Sequence, residues 1–163
     1  MGIDFKLLES QPYCMEEFRN MLKEAPDDIV LVDKDDARAW TRAEVDDLSA
    51  RVYHYLQKNG IGREDFVMIC LPRGGLPIIA ILGVIKAGAA FTIVESDYAV
   101  ERIEYIKHDC GCRLIIDLNA WQDILKEEPL PGYVLPGLHD AAFAVYTSGS
   151  SGKPKAYFMN TAI

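Results

Sequence analysis

The sequence predicts an α/β fold, a mostly parallel sheet flanked by helices on both faces. Three observations carry this. From Asp65 onward, short apolar runs alternate with helical segments, the order expected when helices form the crossovers of a parallel sheet. The runs are nearly continuous in apolar residues, as in strands covered on both faces. A loop rich in glycine and hydroxyls then follows one of these runs directly. Open α/β sheets place their ligand loops at such strand carboxyl ends.

The elements follow in order. Pro12 to Ala25 predicts a helix with Met15, Phe18, Met21 and Leu22 on one face. Ile29 to Val32 predicts a strand, turned at Lys34-Asp35-Asp36 into a short return strand ending at Trp40. Thr41 and Glu44 have the spacing of a capping box. The helix they open turns Val45, Leu48, Val52, Tyr55 and Leu56 to one side, and Asn59-Gly60 supplies a left-handed stop. Phe66 to Leu71 predicts a buried strand. Leu76 to Ala87 predicts a helix apolar nearly all round, with Pro77 tolerated in its first turn. Strands at Ala90 to Val94 and Leu114 to Ile116 bracket a helix, Ala99 to Cys110, with Ile103, Ile106 and Cys110 inward. A short helix, Asn119 to Lys126, and a loop with three prolines, Glu127 to His139, lead to a strand at Phe143 to Tyr146. Tyr157-Phe158-Met159 reads as a further strand-like segment.

Composition narrows the function classes. A chain of 163 residues with half its residues hydrophobic and 26% charged suits one domain with its own core. A net charge of −8 disfavours nucleic acid or an anionic membrane as partner, because both reward a basic face. Met1 to Gln11 has neither the basic start nor the apolar centre of a secretory leader. Leu76 to Ile85 is too short to span a bilayer. The expectation is therefore a cytoplasmic protein. Cys14, Cys70, Cys110 and Cys112 are spread through periodic segments and do not form a secreted disulfide framework.

The loop Thr147-Ser148-Gly149-Ser150-Ser151-Gly152-Lys153-Pro154-Lys155 carries the chemistry. Glycine lets backbone N–H groups converge on an anion, hydroxyls donate neutral hydrogen bonds, and lysine supplies charge. A flexible linker has similar composition, but linkers sit in polar surroundings and this run lies between two strand-like apolar segments. A Walker-type loop needs four residues between Gly and Gly-Lys, then a helix. Here only Ser150 and Ser151 separate Gly149 from Gly152, and Pro154 follows Lys153.

Tyr146 to Lys155 resembles the signature Y-T-S-G-S-T-G-x-P-K-G of adenylate-forming enzymes, which include acyl-CoA synthetases, luciferases and the adenylation domains of nonribosomal peptide synthetases. Ser151 replaces the second threonine and keeps its hydroxyl, while Ala156 replaces the closing glycine. Ile85-Lys86-Ala87-Gly88-Ala89-Ala90-Phe91 is similar to the family's L-K-A-G-G-A-Y. Asp97-Tyr98-Ala99-Val100-Glu101-Arg102-Ile103 is similar to x-Y-P-x-E-R-I, and Trp40 to Val45 resembles T-Y-x-E-L. The pattern is nearest to amino-acid adenylation domains. Two departures stand out. Thr92 to Ser96 lacks both prolines of the family's V-P-I-D-P, and the histidine often found after the loop is missing near Thr161.

The resemblance covers essentially the whole chain but only the opening segment of the family's large domain. It implies that residues 1–163 form a single N-terminal subdomain, an incomplete part of that domain ending just after the phosphate loop. It implies contacts to the β- and γ-phosphates of ATP from Thr147, Ser148, Gly149, Ser150, Ser151, Gly152 and Lys155, with Lys153 in the same loop, and Mg²⁺ bridging the phosphate oxygens. The implied reaction is attack of a carboxylate, nearest an amino acid, on the α-phosphate of ATP, with release of pyrophosphate. A carrier protein or CoA is the implied acceptor. The later nucleotide-binding motifs and the catalytic lysine of the mobile C-terminal domain have no counterpart, so the chain alone is expected not to complete the reaction. The alternative expectation is a noncatalytic interaction module that self-associates through an apolar edge around Tyr157 to Ile163.

Two other clusters read as structural. Glu101 and Arg102 are helix neighbours that do not face one another, suited to anchoring the helix to a nearby loop. His108-Asp109-Cys110-Gly111-Cys112 groups donors but lacks paired Cys-x-x-Cys spacing, so no metal ligand is assigned, and no catalytic residue.

Overall fold

The computed structural model describes residues 14–34, 37–137, 139–147 and 154–161. Helix α1 (Cys14–Glu24) leads to a hairpin of β1 (Ile29–Asp33) and β2 (Arg38–Thr41), then α2 (Arg42–Lys58). Next come β3 (Phe66–Ile69), α3 (Gly75–Lys86), β4 (Ala90–Ile93), α4 (Val100–Asp109), β5 (Cys112–Ile116) and α5 (Leu118–Ile124). A second hairpin, β6 (Ala141–Thr147) and β7 (Lys155–Asn160), follows. The five-stranded sheet has the order β5-β3-β4-β6-β7. All of its pairings are parallel except β6 with β7. The fold is thus the α/β class expected.

Two cores cover the two faces. On one side α3 and α5 pack on the sheet with α2 behind them, burying Val52, Leu56, Val67, Ile69, Ile79, Val84, Trp121 and Ile124. On the other, α4 covers Met68, Val94 and Ile106 together with Cys110 and Cys112. The capping box forms as its spacing predicts: the Thr41 N–H donates to Glu44 Oε2 at 2.7 Å and the Glu44 N–H to Thr41 Oγ1 at 3.2 Å. Gly60, at φ +68°, turns the chain out of α2. Gly83 lets α2 and α3 touch, since a Cβ there would overlap Val52 and come within 2.9 Å of the Ser49 carbonyl.

Two expectations need correction. Met21 does not join the buried face of α1. It is 48% exposed, whereas Met15 is buried, because α1 meets α2 along only part of its apolar stripe. The strand expected at Leu114 starts earlier, at Cys112, since Cys112 pairs with Phe66. Lys86 is also buried despite its charge, and its Nζ donates to Asp46 Oδ1 at 2.7 Å and to the Asp46 carbonyl at 3.0 Å.

Candidate functional site

Because β3, β4, β5 and β6 are parallel, their carboxyl ends lie along one edge of the molecule, and the hydroxyl-rich loop leaves from that edge. Thr147 ends β6 and Lys155 begins β7, and the two are cross-strand partners. Both are exposed. The structure therefore brings the first and last of the predicted loop residues together as the closing pair of a hairpin. Ser148, Gly149, Ser150, Ser151, Gly152 and Lys153 lie outside the described residues.

The stem of this hairpin is held from both sides. Thr92, fully buried on β4, donates from Oγ1 to the Ala144 carbonyl at 3.0 Å. Phe91 and Phe143 stack with centroids 5.7 Å apart, and Phe158 sits edge-on to Phe66 at 5.7 Å. Tyr146, one residue before Thr147, donates its hydroxyl to Asp109 Oδ2 at 2.8 Å. Burial, reinforced by that hydrogen bond, holds the phenol well above its usual pKa, so Tyr146 stays protonated and donating. Strand β6 thus delivers Thr147 from a fixed position, even though the loop itself is polar.

A helix N-terminus is the usual rival place for a phosphate. That of α3 is already occupied. The Asp33 carboxylate accepts from the Gly75 N–H at 3.0 Å, and a Cβ at Gly74 (φ +137°) would overlap it. This internal anion complements the helix dipole.

Residues missed in the sequence also gather at this edge. Arg73, after β3, donates from Nε and a terminal nitrogen to Glu95, after β4, at 2.9 and 2.7 Å. The guanidinium pulls the Glu95 carboxyl below its usual range. The register of β3 with β4 pairs Ile69 with Ile93, and that neighbouring exit was the available signal. Arg102 lies over the Tyr98 ring at 3.9 Å, which fixes α4 to the turn before it. An apolar cleft of about 400 Å³ runs beside the hairpin, lined by Ile81, Phe91, Ile93, Phe143, Val145 and Tyr146.

A parallel α/β sheet places its ligand-binding loops at the carboxyl ends of its strands, and comparison with known proteins makes this architecture particular. The chain belongs to the AMP-binding enzyme family, whose profile matches residues 18–162. It is 36% identical over 149 residues to the probable non-canonical nonribosomal peptide synthetase CymA of Salinispora arenicola, covering 90% of this chain and 2% of that protein. Surfactin synthase subunit 2 of Bacillus subtilis is 31% identical over 157 residues, covering 85% of this chain and 4% of its own length. The Klebsiella oxytoca NpsA N-terminal subdomain, solved with 3-hydroxyanthranilyl-AMSN, superposes with a TM-score of 0.78 at 24% identity, over 93% of this chain and 41% of that one. The N-terminal domain of FACL13 from Mycobacterium tuberculosis gives 0.77 at 19% identity, over 88% and 43%. At these identities the two structures establish the fold. The chain spans a few per cent of the curated relatives and about two fifths of the solved chains. Among the described residues no helix is long and apolar enough to cross a membrane.

Proposed function

We propose that residues 147–155 grip the β- and γ-phosphates of ATP in an adenylate-forming ligase, whose carboxylate substrate, nearest an amino acid, is activated as an acyl-adenylate. The observation that carries this reading is the closing pair Thr147 and Lys155, exposed at the carboxyl end of β6 on a braced stem. The donor set fits a polyphosphate: Thr147 supplies a hydroxyl, Lys155 a cation, and Ser148, Ser150 and Ser151 further hydroxyls, with Gly149 and Gly152 allowing close approach. ATP supplies the electrophilic phosphorus, and donors around the departing pyrophosphate stabilise charge as it develops. Mg²⁺, if engaged, is held through phosphate oxygens, because residues 147–155 include no carboxylate. The nonribosomal peptide synthetase relatives support a carrier-protein thiol as acceptor, with CoA as the alternative, and a cytoplasmic setting.

The test is titration with Mg-ATP, pyrophosphate and adenosine, read by hydrogen exchange of residues 141–160. Protection by ATP and pyrophosphate but not by adenosine is expected. Lys155→Ala should weaken ATP binding by roughly tenfold or more, the size of one charge-assisted hydrogen bond. Adenosine protecting as well as ATP, or an unchanged affinity in Lys155→Ala, would overturn the assignment. Carboxylate-dependent exchange of pyrophosphate into ATP by this chain alone is expected to stay at background, and robust turnover would overturn that expectation.

A second reading rests on a separate observation. Val145, Tyr157 and Met159 are exposed on one face of the β6–β7 hairpin, which suits a noncatalytic module that self-associates or binds a partner through that surface. Sedimentation showing a monomer at all concentrations would remove the self-associating form of this reading.

A further inference from the structure

Cys110 caps α4 and Cys112 opens β5. Gly111 between them adopts φ +64°, and nothing lies within 4 Å of where its Cβ would stand. The glycine is therefore needed for the left-handed turn and not for space, and that turn folds one cysteine back on the other. Their sulfurs are 2.8 Å apart, and both side chains are at least nine-tenths buried. A disulfide has its sulfurs about 2.05 Å apart, so closure requires movement of well under an ångström. Among the described residues no group of three His, Cys, Asp or Glu side chains converges as a metal site.

We propose that Cys110 and Cys112 are a redox-active dithiol that a small hydroperoxide oxidises to an intrachain disulfide. The contact lowers the pKa of one thiol of the pair and raises that of the other, so one is poised as the thiolate and its neighbour as the protonated resolving thiol. The thiolate attacks one oxygen of hydrogen peroxide and breaks the O–O bond. Its sulfenic acid forms, and the released hydroxide takes up a proton as water. The second sulfur then attacks the sulfenic sulfur, expelling hydroxide, which leaves as water with the second thiol's proton. Two thiols and one peroxide become one disulfide and two waters. Burial of both residues selects a small oxidant over a bulky disulfide.

The sequence gives the test a clean readout, because trypsin cuts after Lys107 and Arg113 and places both cysteines in the peptide His108–Arg113. The full chain is treated with hydrogen peroxide near neutral pH, quenched in acid, blocked with N-ethylmaleimide under denaturing conditions and digested. This peptide is expected to carry no maleimide and to be lighter by two hydrogens, with both maleimides restored when a reductant precedes blocking. In Cys110→Ser and Cys112→Ser the resolving partner is gone, and in one of the two variants the remaining cysteine is expected to accumulate as sulfinic acid instead. A peptide that still carries two maleimides after peroxide, one linked to Cys14 or Cys70, or a remaining cysteine that stays a free thiol in both variants would overturn the proposal.

Discussion

The β5-β3-β4 half of the sheet and the β6-β7 half are built from similarly apolar strands, but they differ in what lies over them. Val67 and Ile69 on β3 are fully buried beneath α3 and α5, whereas Val145 on β6 is 47% exposed and Tyr157 on β7 is 59% exposed. Strand β4 is the border: Thr92 faces the α4 side and is fully buried, while Ile93 on the other face is 52% exposed. Alternation and apolarity make a strand suited to burial, but only a neighbouring helix buries it. The covered half supplies stability, and the uncovered half carries the polar loop on a stem pinned at a few points.

The comparison breaks most readily in the covered half. Leu56→Ala removes a fully buried side chain between α2 and α3 and should cost about 2–5 kcal/mol in urea unfolding, the range for truncated core leucines. Gly83→Ala adds a methyl where Val52 and the Ser49 carbonyl already stand. Its expected cost is about 1–3 kcal/mol, typical of overpacking, with α2 and α3 forced apart. If both changes left the urea midpoint unmoved, the covered half would not be the source of stability.

Electrostatics gives a smaller and pH-dependent contrast. Asp140 accepts two hydrogen bonds from Arg63 at 2.6 and 2.9 Å and one from the Gly137 N–H, and Arg63 holds its carboxyl below the usual range. Burial acts the opposite way on Asp65, but its bonds from Arg113 and the Gly62 N–H outweigh it, and its pKa is also lowered. Both depressed carboxyls stabilise the fold above the ordinary aspartate value of about 4, and that contribution fades as pH falls through their folded pKa values. Lys86 gives the same direction in a higher pH range and for a different reason. Burial lowers its pKa against the pull of Asp46, so stability from this group rises as pH climbs toward the ordinary lysine value of about 10.4. Thermal unfolding followed from pH 7 downward should therefore show falling stability in the acid range. Asp140→Asn should flatten the acid limb, and a variant curve parallel to wild type would deny Asp140 its share.

What was legible in the sequence is what local chemistry dictates. Thr41 and Glu44 announced α2 because a capping box closes within four residues. The loop from Thr147 to Lys155 was legible because apolar runs flank it on both sides, while the pairing of its two ends came only with the register of β6 and β7. Partners distant in sequence were not. The burial of Lys86 depends on Asp46, forty positions earlier, and the exposure of Met21 depends on how little of α1 meets α2. Cys112 reads as a turn residue until its pairing with Phe66 makes it the first residue of β5. Cys110 and Cys112 were visible as neighbours, but their close approach depends on the backbone angle at Gly111.

The smallest expected effect is the sharpest test of the contrast. Tyr157→Thr and Val145→Thr keep residues of high strand propensity on the hairpin while removing apolar surface that the fold leaves exposed. Each should change unfolding stability by no more than about 0.5 kcal/mol, as surface substitutions do. A loss of about 2 kcal/mol or more, the scale of a core truncation, would mean that these side chains are buried in solution and that something covers the hairpin. Sedimentation velocity at two concentrations distinguishes the source. If the cover is a second copy, wild type shifts to faster sedimentation as concentration rises and the double variant does not. If both stay monomeric and equally stable, the uncovered half is solvent-facing.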